Sequence, residues 1–362
     1  MTALKERLKQ LIATTGPISV SEYMAMCLFD PTDGYYTTRE PFGVSGDFIT
    51  SPEISQMFGE LVGVWAYSAW IAAGKPVPFT FAEIGPGRGT LMIDMLRTID
   101  RLDPGFIATA RIALIEASPR LTEIQRERFA TAGRAKPSWY TQVSDLPDGP
   151  LFVIANELFD AMPVRQFVNT EQGWRERMVA LDEAGELCFS AGLASIDLAL
   201  LPTGKEAEIG AIFEAAPARS ALMAELSTRI ATNGGAGLFI DYGHLEPGFA
   251  DTLQAMKAHA YDDVFAHPGE ADLTTHVDFA ALAAVAQASG LRPRLCTQGD
   301  FLLRMGLLER AGALGSKAGE DVRERLRGEV ERLAGPVQMG SLFKVLAVSP
   351  ENVALPGFDP AD

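Results

Sequence analysis

The stretch FAEIGPGRGTLMIDMLR, residues 81–97, sets Glu83 just ahead of three glycines, Gly85, Gly87 and Gly89, and then turns into a helical pattern. Glycines at alternate positions let a chain turn tightly and bring its backbone close to a bound group. A dinucleotide fingerprint is spaced G-x-G-x-x-G, and its third glycine lets the helix pack against the strand. Here the spacing is G-x-G-x-G, and Thr90 stands where that third dinucleotide glycine would fall. The two chemistries differ. A pyrophosphate calls for a bare, partly positive helix N-terminus. The methionine end of S-adenosylmethionine carries an ammonium near a cationic sulfonium, so an acid beside the glycines is favourable. Glu83 supplies one. Two further acids follow successive apolar runs: Glu116 closes RIALIE, where a carboxylate can accept both ribose hydroxyls, and Asp145 lies in VSDLP, within reach of an adenine amino group.

A second group of polar residues follows the run LFVIA as NELFDAMPV, with Asn156, Glu157 and Asp160. Asn156 is expected beside the cofactor. Glu157 and Asp160 are three apart, a spacing that puts both carboxylates on one side of a helical turn. Two acids so placed suit a cationic nucleophile such as a guanidinium, held by charge-assisted hydrogen bonds and oriented toward a methyl donor. The plain alternative is that Asn156 and Asp160 only cap a turn shaped by Pro163. Gly46 and Asp47, in GDFITSPE, offer backbone donors and a carboxylate over the same pocket, or simply precede a capped helix start. His259 is a further candidate for binding or proton removal, although a lone histidine is more often structural.

The elements that position these residues read as short apolar strands alternating with helices, the pattern of an α/β parallel sheet. Seven strands are expected, at 79–84, 111–116, 138–142, 151–155, 236–241, 291–297 and 342–348, with helices at 90–98, 119–131 and 277–289. All three pocket acids then fall at strand C-terminal ends, the ligand edge of such sheets. Upstream, residues 3–13 form an amphipathic helix and another opens at Ser19 or Ser21. Residues 29–52 are loop, and a helix starts with Ser51 as N-cap and Pro52 in its first turn. Four segments result: an N-terminal helical cap and loop (1–76), a cofactor-binding half (77–163), a β-meander and helical insertion (164–232), and a second half (233–362) with a charged helical insertion at 301–335.

Composition narrows the class. The chain has 362 residues, 31 Lys and Arg against 47 Asp and Glu, and a net charge of −16. That balance opposes binding to a nucleic-acid backbone and suits a basic protein partner. Three scattered cysteines and four histidines, none in an H-x-x-x-H pair, give no disulfide framework and no His-built metal site. The opening MTALKERLKQLIATTG lacks the apolar core of a signal peptide, and no apolar run is long enough to span a bilayer. A cytoplasmic location is expected.

Taken in order, GDFITSPEISQMFGE, EIGPGRGTL, NELFDAMPV, FIDYG, PGEADLTTHVDF and QGDFLLRMGLLER resemble the MidA-type methyltransferases, which include the mitochondrial assembly factor of respiratory complex I. The likeness runs over most of residues 15–348. It implies a seven-stranded, Rossmann-like class I methyltransferase sheet with an N-terminal helical cap and substrate-side insertions. It also implies S-adenosylmethionine as cofactor and symmetric dimethylation of an arginine on a peripheral-arm core subunit of NADH:ubiquinone oxidoreductase. Two other readings stay open: an assembly chaperone that keeps the pocket, and a nicotinamide-dependent oxidoreductase.

Overall fold

The computed structural model describes residues 2–39, 50–133 and 135–359. The chain forms two compact units, one of residues 1–48, 159–221 and 246–276, the other of 49–158, 222–245 and 277–362.

The second of these holds the central sheet. Its strands are β1 (Phe79–Ile84), β2 (Ala110–Ile115), β3 (Ser138–Tyr140), β4 (Leu151–Asn156), β5 (Gly235–His244), β6 (Arg292–Thr297) and β7 (Phe343–Ser349). They lie in the order β6-β7-β5-β4-β1-β2-β3, and an eighth strand of two residues, Val277–Asp278, pairs parallel with the end of β5. The neighbours from β5 to β3 are parallel, and β7 runs antiparallel to both β5 and β6. β1 and β4 are buried along their whole length, so both are mainly apolar; β4 carries a polar residue only at its end, Asn156, while β1 also buries Thr80 and Glu83. The chain leaves β1 toward β2 on one side and returns to β4 on the other. The topological switch point, where such sheets bind ligands, therefore lies between β1 and β4.

Helices flank the sheet at Thr90–Leu102, Pro119–Ala132 and Phe279–Ala288, close to the expected limits. The helix grouped by sequence with the N-terminal cap belongs here. Residues Gln56–Ala72 bury Met57, Phe58, Leu61, Val62 and Trp65 in the same cluster as Phe81, Ile154 and Leu238. Its start also differs from expectation. Thr50, not Ser51, is the N-cap of a short helix Ser51–Ile54; the chain then extends at Ser55 (φ −155°), whose hydroxyl caps the long helix by accepting from the Met57 N–H. The helices Gln298–Arg304, Leu307–Gly315 and Glu320–Ala334 complete this unit, the last a charged helix that buries only Leu326 and Leu333.

The other unit is built on the meander Arg165–Thr170, Gly173–Leu181 and Leu187–Ala191, antiparallel throughout. Ile212–Ala215 pairs beside its first strand and Ile18–Ser19 beside its second. Three short strands, Gln254–Lys257, Ala260–Asp262 and Asp272–Thr274, form a separate small sheet. Helices Ala3–Thr15 and Val20–Phe29 bury Leu4, Leu8, Ile12, Tyr23 and Met24 with Val179 and Leu273. The second helix starts in a capping box: Ser19 accepts from the Glu22 N–H, and Glu22 accepts from the Ser19 N–H.

Candidate functional site

The glycine turn leaves β1 with three left-handed residues in alternation, Gly85 (φ +65°), Gly87 (φ +52°) and Gly89 (φ +78°). The Gly85 N–H donates to the Ile115 carbonyl, and Gly89 caps the helix Thr90–Leu102. A Cβ on Gly85 would stand 3.0 Å from Leu158 Cδ1, and one on Gly89 3.1 Å from Phe129 Cε2. Thr90 does more than fill the place of a missing glycine. Its hydroxyl donates to Glu53 Oε1 (2.8 Å) and accepts from Arg128 (2.8 Å), which ties the short helix Ser51–Ile54 to the turn.

Two buried acceptors stand at the ends of the strands that flank the switch point. Glu83, 3% exposed at the end of β1, has no hydrogen-bond partner for Oε2 among the described residues. Burial, with the Glu116 charge adding to it against a Met92 N–H, pushes its carboxyl up to about 8. Asn156, 9% exposed at the end of β4, donates to Glu157 Oε1 (2.8 Å) and leaves its own Oδ1 without a partner among the described residues. Orphaned buried acceptors are rare because each forfeits its hydration. Two of them at adjacent strand ends fit a ligand that brings donors, and an ammonium is such a group.

Glu116, just past β2, is half-buried and already organised. Oε1 accepts from the Ser118 N–H (2.7 Å) and Oε2 from Gln125 (3.1 Å), and burial raises its pKa against those bonds. Gln125 also donates to the Gly87 carbonyl (2.8 Å), so one amide fixes both the glycine turn and the acid. The sequence reading passed over it, although a signal existed. Gln125 sits between Leu121 and Phe129 on the buried stripe of its helix, a polar residue where an apolar one is expected. Asp145 is exposed in a short turn, 3.1 Å from Gln142 Nε2 and 3.3 Å from Thr141 Oγ1.

The helical turn expected to carry Glu157 and Asp160 does not form. Glu157 adopts φ +53°, a strained conformation for a residue with a side chain, and its N–H donates to the Ile240 carbonyl. Its carboxylate also accepts the Ser51 N–H (3.1 Å) at the start of the short helix. Asp160, 7% exposed, falls in the unit of the meander, with its carbonyl accepting from the Thr275 N–H. The helical geometry expected at these two acids is therefore absent, because a left-handed residue at 157 breaks it at its first step. Gly46 and Asp47 lie outside the described residues. His259 (φ +62°) occupies the exposed turn between Gln254–Lys257 and Ala260–Asp262 in the meander's unit. Among the described residues no group of three or more His, Cys, Asp or Glu is placed to hold a metal ion, and no helix is long and apolar enough to cross a membrane.

Comparison with known proteins agrees with this geometry. The family model for S-adenosyl-L-methionine-dependent methyltransferases matches residues 61–297. The mouse protein arginine methyltransferase NDUFAF7, mitochondrial, is 39% identical over 373 residues, covering 97% of this chain and 85% of its own. Its human counterpart is 39% identical over 378 residues, covering 97% and 84%. A crystal structure from Burkholderia thailandensis, bound to S-adenosyl-homocysteine, superposes with a TM-score of 0.85 at 29% identity, covering 99% of this chain and 95% of that one. Acceptors that fit an ammonium at the switch point, on a sheet of this order, have the same explanation: the chain belongs to the S-adenosyl-L-methionine-dependent methyltransferases, and S-adenosylmethionine is its cofactor.

Proposed function

We propose that this protein transfers methyl groups to an arginine of a protein, by symmetric dimethylation, and that the acceptor is a core subunit of the peripheral arm of respiratory complex I. The pair of orphaned acceptors, Glu83 Oε2 and Asn156 Oδ1, at the β1–β4 switch point carries the cofactor half of this reading. The arginine half is supported by relatives named protein arginine methyltransferases along nearly the whole chain, and by the carboxylates that follow β4.

When bound, the cofactor supplies an electrophilic methyl on a sulfonium. The chain's own residues do the rest by position and charge. Glu83 holds an ammonium, and the turn of Gly85, Gly87 and Gly89 keeps side chains out of the way. Glu116 accepts ribose hydroxyls, and Asp145 takes the adenine amino group. Glu157 and Asp160 hold the acceptor guanidinium, set its attacking nitrogen in line and accept the proton that this nitrogen sheds on methylation.

The test is transfer of tritiated methyl from S-adenosylmethionine to the isolated peripheral arm of NADH:ubiquinone oxidoreductase, taken from cells lacking this protein. One labelled arginine, located by mass spectrometry, is expected. Glu157→Gln keeps an acceptor for the Ser51 N–H but loses the charge; transfer should fall on the order of 10²–10³-fold, with cofactor affinity within a few-fold of the parent. Near-parental transfer by Glu157→Gln removes that carboxylate from the mechanism, and absence of any methyl-arginine removes the proposed acceptor.

A further inference from the structure

In the meander's unit a guanidinium is almost wholly out of water. Arg219, in the first turn of the helix Pro217–Asn233, is 3% exposed. Its Nη1 donates to the His276 carbonyl (2.7 Å), and its Nη2 lies within hydrogen-bond range of the carbonyls of Asp160 (3.3 Å), Met162 (3.4 Å) and Thr275 (3.3 Å) and of the Thr275 hydroxyl. Those acceptors come from two stretches far apart in sequence, 160–162 and 275–276. The two are also joined directly, by the Thr275 N–H donating to the Asp160 carbonyl (3.1 Å). The second stretch is held from behind as well. The His276 N–H donates to the Thr252 hydroxyl, and Thr252 donates to Glu214 through both its N–H and its hydroxyl.

A charge is costly to bury, and only a dense set of acceptors offsets that cost. Here the acceptors are mostly main-chain carbonyls, so what the guanidinium fixes is backbone. One of them belongs to Asp160 itself. Clamping that carbonyl limits rotation about the Asp160 main chain and so fixes where its side chain begins. A planar guanidinium with five N–H groups can serve several carbonyls at once; a lysine ammonium is a compact point charge on a flexible stem and cannot cover the same fan.

We propose that Arg219 is a positioning residue for methyl transfer, acting through the backbone of the Asp160–Met162 turn to aim the Asp160 carboxylate at the acceptor. This rests on the reading of Asp160 as a group that holds the acceptor guanidinium. Arg219 touches neither acceptor nor cofactor in this scheme. Its removal is expected to lower kcat while leaving the cofactor site, built in the other unit, unchanged.

Arg219→Lys, Asp160→Asn and the double variant test this with tritiated S-adenosylmethionine and the peripheral arm. The expected result is a kcat loss approaching 10²-fold for Arg219→Lys, roughly what a misplacement of about 1 Å costs, with KM within about threefold. S-adenosylhomocysteine affinity by calorimetry should match the parent. In the Asp160→Asn background, Arg219→Lys should add less than about threefold, since both act on one group. Parental kcat in Arg219→Lys, or losses that multiply in the double variant, overturns the positioning role while leaving Asp160 in place. Parental transfer by Asp160→Asn instead overturns the reading of Asp160, and this inference with it. Amide hydrogen exchange gives an arm that needs no acceptor: exchange at Thr275 should quicken more than tenfold in Arg219→Lys, and unchanged exchange shows that the guanidinium does not hold the turn. If Arg219→Lys does not fold, Thr275→Val removes one acceptor at similar volume. It should lower kcat in the same direction, again without adding to Asp160→Asn, and a parental kcat there counts against the proposal.

Discussion

Glu83 is where the chemistry of the site can be tested most directly. Its carboxyl, lifted to about 8 by burial, is largely protonated at neutral pH, and a bound ammonium favours the carboxylate. Cofactor binding should therefore expel a proton. The sign follows: between pH 5.5 and 7.5 affinity for S-adenosylhomocysteine should rise with pH, by up to about tenfold per unit, and level off near the Glu83 value. Calorimetry in buffers of different ionisation enthalpy measures the proton released. No release at pH 6.5 would place the ammonium elsewhere. The same shift has a cost without ligand, because the folded state keeps a proton that the unfolded chain gives up; Glu83 thus withdraws stability as pH climbs from about 4.5 to about 8. Next in line is Glu116. Glu116→Ala should weaken cofactor binding by about 1.5–3 kcal/mol, and Asp145→Ala by less, since Asp145 is exposed and solvent competes for its bonds. Equal and negligible effects would mark both as surface acids. Glu83, Glu116 and the glycines were readable because their types and their places after apolar runs carry the signal. Asn156 Oδ1 without a partner among the described residues, Glu157 at φ +53° and the buried Arg219 were not, since each depends on backbone geometry and on neighbours distant in the chain.

Elements are legible to the degree that burial on one or both faces dictates their composition. The seven strands read from the sequence all appear near their expected places, the inner ones as apolar runs, while β3 (SWY) and β6 (RPRLCT) at the sheet's two edges carry more polar residues. The interruption at Ser55 is hidden because apolar spacing continues across it, from Ile54 to Met57 and Phe58, while a single extended residue divides the helix. The small sheet of Gln254–Thr274 is equally hidden, its strands being three or four residues long and too short for a period to show. At this scale the glycine turn makes the sharpest prediction. Gly89 is left-handed and packs on Phe129 and Gln125, so Gly89→Ala forces a Cβ into both a strained conformation and an occupied space. The strain alone should cost about 1–2 kcal/mol. Displacement of Gln125 should also loosen its bonds to Gly87 and Glu116, so the thermal shift given by S-adenosylhomocysteine should shrink along with the melting temperature. A lower melting temperature with an undiminished ligand shift would separate the turn's stability from its role in binding.

Charge is shared unequally between the two units. The meander's unit holds 22 of the 47 Asp and Glu but only 10 of the 31 Lys and Arg, a net of −12 within the −16 of the chain. The unit with the central sheet is left close to neutral for its size. Net charge of one sign raises the local concentration of an oppositely charged partner, and salt screens the effect beyond a Debye length of roughly 10 Å at 0.1 M. A basic acceptor protein should thus be drawn mainly by the meander's unit, while cofactor binding, which depends on short-range contacts, should be far less sensitive. Raising salt from 50 to 500 mM should increase KM for the peripheral arm on the order of tenfold and change S-adenosylhomocysteine affinity much less. Local reversal separates the two units. Glu206→Lys with Glu208→Lys, both exposed in the meander's unit, should raise KM at low salt and flatten its salt dependence without altering kcat. Asp321→Lys with Glu324→Lys, exposed on the charged helix of the other unit, changes net charge equally and should leave KM near the parent's. Equal effects from the two pairs would mean that total charge matters and its placement does not.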